Sequence, residues 1–199
     1  MRLYYDWEFL EDGESIWPIS LGMVREDGVE LYCVNEEIYD GGPGNDGLYR
    51  KILKHRWLME NVVPNLPLAT DVDGRPRYGI REGNSGLSYF HLDMNSNLVV
   101  PRRMIRNAVR DLVLDTPDPE LWAWYGAYDH VCLAQLFGRM VNLPKGFPMY
   151  TRDLKQEVDR LGAPALPAKV GTEHNALDDA RWNARLGDYL KQYEGERTA

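Results

Sequence analysis

Cysteine is scarce in this 199-residue chain: there are two, Cys33 and Cys132. Both sit in apolar surroundings, Leu-Tyr-Cys-Val and His-Val-Cys-Leu. They read as buried free thiols of a reducing compartment, which excludes a disulfide-stapled scaffold. No apolar run is long enough to span a bilayer. The opening Met-Arg-Leu-Tyr-Tyr-Asp-Trp-Glu brings in charge too early for a secretory hydrophobic region, so the expected location is cytoplasmic and no membrane is involved. An excess of positive charge is also missing. Lys and Arg total 23 against 31 Asp and Glu, a net charge of −8. That excludes a non-specific nucleic-acid coat, which needs a basic surface. It leaves room for a polyanion held by a local basic patch or through bound cations. Internal repeats and low-complexity tracts are absent.

The chain has 44% hydrophobic and 27% charged residues, and its length suits one α/β domain. Residues 2–9 alternate and favour β structure. Glu11-Asp12-Gly13 and Glu26-Asp27-Gly28 are turn signals, with strands expected at 16–24 and 29–34. Two tight turns joining three strands give an antiparallel meander. Gly41-Gly42-Pro43-Gly44 is then a loop. Residues 48–63 carry a helical pattern with a basic face of Arg50, Lys51, Lys54, His55 and Arg56. Residues 64–98, rich in Pro, Gly, Asn and Asp, read as an insertion or lid, with a short strand at 87–92. Pro101 suits a first helical turn, and Met104, Ile105, Ala108, Val109, Leu112 and Val113 follow at helical spacing. A central strand is expected at 121–128, then a helix with Cys132, Leu133, Leu136, Phe137 and Met140 inward. A short strand at 148–154, a helix through Leu161, a Pro/Ala connector at 163–168 and a last helix from near His174 to about Tyr193 complete the chain. The expected fold is a single domain over 1–199 with a mixed sheet, three antiparallel strands then parallel additions, flanked by helices.

Five residues invite a chemical reading. Asp6 and Glu8 are two apart on a strand, so both leave the same face, while Tyr5, Trp7 and Phe9 make an apolar opposite face. Asp129 follows the strand ending at Tyr128. It shares a stripe with Cys132, Leu133 and Leu136, so an N-terminal cap and an inward functional acid are equally good readings of it. In the last helix the apolar stripe Trp182, Leu186, Leu190 and Tyr193 extends backward to Asp179. Asp178 instead heads the polar stripe with Arg181, Arg185 and Asp188. His174 stands just before that helix, and an imidazole there can take a proton from water near neutral pH. Carboxylates are costly to gather in one place unless a divalent cation holds them there.

Asp6-Trp7-Glu8, Asp129 after a central strand, and His174 five residues before Asp179 resemble the three sequence blocks of the DEDDh 3′-5′ exonucleases. Tyr5-Asp6-Trp7-Glu8-Phe9, Ile19-Ser20-Leu21-Gly22, the segment from Leu121 through Asp129-His130, and His174-Asn175-Ala176-Leu177-Asp178-Asp179-Ala180 are similar to the actinobacterial exoribonuclease AS branch. Residues 70–97 depart from that branch by their length. The resemblance implies a ribonuclease H-like fold and two Mg²⁺ or Mn²⁺ ions. It implies that Asp6 bridges both ions, Glu8 and Asp179 complete the nucleophile-side ion, Asp129 supports the other, and His174 deprotonates water. The implied substrate is the 3′ end of single-stranded RNA, adenylate tails included, and the branch implies a homodimer. Phe9 is the expected stacking residue, and Arg102, Arg103, Arg106 and Arg110 are placed to track phosphates. A DNA exonuclease of the proofreading or repair type would use the same five residues. A non-catalytic RNA-binding module has no use for clustered acids facing phosphate.

Overall fold

The computed structural model describes residues 1–39, 47–81 and 88–198. The loop expected at Gly41-Gly42-Pro43-Gly44, and Leu87 at the start of the strand expected at 87–92, lie outside the described residues. Strands β1 (Arg2–Glu11), β2 (Ile16–Arg25) and β3 (Glu30–Asn35) form the expected meander. Gly13 (φ +85°) and Gly28 (φ +92°) supply the left-handed backbone of its two turns. Strands β6 (Val99–Val100), β7 (Glu120–Ala123) and β8 (Arg152–Asp153) add to its edges in parallel. The sheet order is β6-β3-β2-β1-β7-β8, the mixed sheet expected from the sequence. Strands β4 (Tyr78–Gly79) and β5 (Tyr89–Phe90) form a separate two-stranded ribbon.

The helices divide between the two faces because β1 is apolar on both. Leu3, Tyr5 and Trp7 face helices α3 (Arg102–Leu114) and α4 (Ala127–Gln135), packing with Ile105, Val109, Cys132 and Leu133. Tyr4 points the other way, toward α5 (Leu154–Arg160) and α6 (Ala176–Thr198), with Leu154, Trp182, Leu186 and Leu190. On that same face Leu10 packs with α1 (Leu48–Lys54) and α2 (Arg56–Asn61). From 64–98, Leu66, Phe90 and Leu92 join this last cluster, with Leu68, Tyr78 and Ile80 packed against it. Tyr49 donates its hydroxyl to the Phe90 carbonyl at 3.0 Å, and Tyr78 donates to that of Met59 at 2.6 Å. Among the described residues no helix is long and apolar enough to cross a membrane.

Four expectations shift. The helical pattern at 48–63 breaks at His55, whose Nδ1 accepts the Leu58 N–H and caps α2. The central strand stops at Ala123 rather than 128, because Tyr125 takes a left-handed φ of +54° and turns the chain into α4. Helix α4 then ends at Gln135, so Met140 is exposed instead of inward. The short strand is Arg152–Asp153 only, since the Asp153 carboxylate accepts the Lys155 N–H at 2.7 Å and starts α5. Both cysteines are buried free thiols, as expected.

Candidate active site

The pairing of β1 with β7 runs only from Arg2 to Tyr4, and beyond it β1 has no parallel neighbour. Its edge there is completed by side chains. Asn183 of α6 donates to the Tyr5 carbonyl at 3.0 Å, and the Asp129 carboxylate accepts the Trp7 N–H at 2.8 Å. Both groups would otherwise be buried and unpaired. The N-cap position of α4 is Gly126, and Asp129 lies in the first turn beyond it. Asp129 is buried, with its carboxylate turned toward β1.

Asp6 and Glu8 project from the α6 side of β1, opposite Gly22 and Ser20 of β2. The register slips between Glu8 and Phe9, a bulge beside the acids that adjusts where Phe9 points. Helix α6 can bring its first turn onto β2 because position 22 is glycine; a Cβ there would collide with the Ala176 carbonyl and the Leu177 backbone. That close approach buries Asp179. His174 precedes it in a left-handed conformation (φ +60°), and its backbone N–H donates to Asp179 Oδ2 at 3.1 Å. The Asn65 amide nitrogen lies 2.9 Å from the Glu173 carbonyl and 3.1 Å from the His174 carbonyl, tying this turn to the residues after α2. Trp57 of α2 meets the imidazole edge to face, 4.7 Å between centroids.

Asp6, Glu8, Asp129, His174 and Asp179 therefore line one cleft of about 430 Å³. One ligand atom each from Glu8, His174 and Asp179 lie within 4.8 Å of one another. The acids disfavour one another's charge. Burial, followed by the repulsion of Asp129, Glu8 and Asp179, holds the Asp6 carboxyl well above the usual range. Burial, then Asp179 and Asp129, pushes Glu8 up to about 8. Burial raises Asp129 to about 7 against the opposing Trp7 N–H bond. Lys169 is the nearby cation, its ammonium 2.5 Å from Asp179 Oδ1. Asp178 behaves oppositely: the Thr172 N–H and Arg181 hold its carboxyl below the ordinary value.

Phe9 lines the cleft and packs edge to face on Tyr128, with Trp57, Trp124 and Tyr125 on the remaining walls. Arg102 and Arg106 are not among the lining residues; the Arg102 guanidinium donates instead to the Gln135 carbonyl at 2.8 Å. The structure thus brings together the five acid and histidine positions and Phe9, but not Arg102, Arg103, Arg106 or Arg110 of α3. Lys169, Trp57 and Asn65 escaped the sequence reading. They lie in irregular or short elements, where no periodicity marks a side chain as facing a site.

A family model described as the 3′-5′ exoribonuclease Rv2179c-like domain matches residues 94–190, a span containing Asp129, His174 and Asp179. Two curated Mycobacterium tuberculosis proteins, the 3′-5′ exoribonucleases Rv2179c and MT2234.1 of two strains, are each 37% identical over 181 residues. The alignments cover 91% of this chain and 88% of each relative. This chain belongs to the Rv2179c-like 3′-5′ exoribonuclease family. A solved structure of S. pombe Pop2p in a Mg²⁺- and Mn²⁺-bound form overlays with a TM-score of 0.48 at 12% identity, over 96% of this chain and 82% of that one.

Proposed function

We propose that this member of the family is a DEDDh-type, divalent-metal-dependent 3′-5′ exoribonuclease with a ribonuclease H-like fold. It would release nucleoside 5′-monophosphates from single-stranded RNA, adenylate tails included. The observation that carries the reading is the convergence of Asp6, Glu8, Asp129 and Asp179 with His174 in one cleft, from segments spread over most of the chain. The donor set fits hard cations: carboxylate oxygens whose pKa values are raised despite Lys169, the one ammonium lining the cleft among the described residues. Asp6, Glu8, Asp129 and Asp179 would hold two Mg²⁺ or Mn²⁺ ions. When bound, such ions polarise the scissile phosphodiester and offset the negative charge that builds on its oxygens.

The protein's own groups do the rest. His174 takes the proton of the attacking water, whose oxygen bonds to phosphorus as the P–O3′ bond breaks. The departing 3′ oxygen keeps the electron pair and takes a proton from solvent, leaving an RNA one nucleotide shorter. Trp57 holds the imidazole from one side, and Asn65 fixes the backbone that carries it. Phe9 and Tyr128 offer the terminal base a stacking surface. We read residues 1–199 as one exonuclease domain with 64–98 as a covering insertion, working in the cytoplasm as a homodimer.

A ladder assay tests this. Free and 3′-blocked oligoadenylate, oligouridylate and oligodeoxyadenylate are incubated with Mg²⁺ or with EDTA. Stepwise loss from the free RNA 3′ end, abolished by EDTA, is the expected result. Equal cutting of 3′-blocked strands would overturn the polarity, and preference for the deoxy strand would make the protein a DNA exonuclease.

A further inference from the structure

A second cavity lies apart from the acids. It holds about 650 Å³, and among the described residues its lining includes Arg50, Lys54, Arg56 and Arg81 and no acidic side chain. In a chain of net charge −8, that described lining is locally basic. Leu53 and Met59 give it an apolar floor. Arg50 is exposed and makes no hydrogen bond or ion pair among the described residues. Glu60 holds Arg56 through its Nε, an exposed pair of little worth, so most of that guanidinium remains available.

The position of this cavity links it to the cleft. Arg56 lines the basic cavity and Trp57, the next residue, lines the acidic cleft. The first turn of α2 is therefore the ridge between the two. A strand with its 3′ end at the acids and its body over Trp57 would bring its upstream nucleotides to the basic cavity. Guanidinium groups over an apolar floor suit a nucleotide, because arginine pairs with phosphate in a two-point geometry while a base covers hydrocarbon.

Resting on the exoribonuclease reading, we propose that this cavity is an upstream RNA subsite, binding an internal nucleotide of the substrate strand with its phosphate against Arg50 and Arg56. It makes the enzyme measure length: short products that no longer reach across α2 lose affinity.

The test compares kcat/KM for a dodecamer and a trimer of oligoadenylate, in wild type and in Arg50→Glu/Arg56→Glu. A neutral double variant, Arg50→Gln/Arg56→Gln, guards against misfolding by charge reversal. Wild type should favour the dodecamer about tenfold, and both variants should bring the ratio near one. The salt dependence of dodecamer binding should flatten by roughly 1.4 in log–log slope, about 0.7 for each phosphate that is no longer neutralised. A wild-type ratio already near one, or an unchanged ratio in both variants, would overturn the subsite. Free adenosine monophosphate is the second arm: calorimetric binding that disappears in the double variants, without a change in the length ratio, would assign the cavity to a free nucleotide instead. Wild type inactive on both lengths would sink the exoribonuclease reading itself and is told apart from either result.

Discussion

Asp178 and Asp179 are adjacent in the chain and opposite in surroundings. Asp178 is bound by the Thr172 N–H at 2.9 Å and by Arg181 at 2.8 Å, a structural acid at the helix start. Asp179 is 8% exposed and turned into the cleft beside Glu8 and His174. Asp179→Asn should therefore cut turnover by more than the ~10–100-fold typical of losing an outer-shell partner of a metal site. Asp178→Asn should keep most activity and lose only stability, by about 1 kcal/mol. A steady-state assay with a melting curve decides it, and the reverse ranking would mean the register of α6 is misread. Lys169 offers a second test. Its ammonium shares Asp179 Oδ1, an oxygen a divalent cation would need. Lys169→Met removes that competing charge, and Mn²⁺ affinity should rise roughly tenfold, of the size expected for one nearby charge at moderate dielectric. Calorimetry of both proteins at the same pH measures it. Weaker Mn²⁺ binding in the variant would refute the competition.

The elements that carry these residues hold together through small contacts. Gly22→Ala would drive a methyl into the backbone of Ala176 and Leu177, where α6 starts. The strain should cost about 1–3 kcal/mol, as overpacking does, and lower Tm by roughly 2–4 °C for each kcal/mol in a domain of this size. Activity should fall further than stability explains, because the displaced turn carries Asp179. Asn65→Ala should instead lower kcat about tenfold with little change in KM, since it frees the backbone carbonyls of Glu173 and His174 without touching the walls of the cleft. An increase in KM alone would mean that Asn65 serves substrate and not the histidine. These couplings also mark what the sequence could reveal. Asp6 and Glu8 were readable from a period of two, and Asp179 from the backward extension of the α6 stripe, because long regular elements repeat their geometry. The meander was readable from its Asp-Gly turns. The early end of β7, the break at His55 and the reach of Lys169 were not. Each depends on where the chain leaves regular structure, and local composition does not specify that. The α3 arginines show the converse: a basic stripe is readable, but which surface it faces is set by tertiary packing.

Taken as a whole, the molecule folds around a cluster of acids that favours protons or cations. Glu8 moves from an ordinary 4.5 to about 8 on folding, Asp129 from 3.8 to about 7, and Asp6 moves in the same direction. The folded form consequently binds more protons than the unfolded chain. For groups raised in this way, stability is complete below the unfolded value and is lost as pH climbs through the folded one. Burial lowers His130 from 6.5, so it acts in the opposite sense, but it is one group against three. Surface carboxylates held low by partners, such as Asp27 and Glu30, add an opposing slope only at the acid edge of this window, since in its upper part they are ionised in both states. With a chelator present, Tm should fall steadily between the carboxylate range near 4.5 and about 8, each group contributing at most ~1.4 kcal/mol per pH unit. Mn²⁺ should flatten or invert the curve, because cation binding requires the ionised acids and strengthens as pH rises. Glu8→Gln should remove part of the slope in chelator and most of the response to Mn²⁺. Melting curves across that window, with EDTA and with Mn²⁺, measure all three effects. A Tm in EDTA that rises with pH would mean that the acids do not repel one another in the folded protein, and the case for a cation site would fall with it.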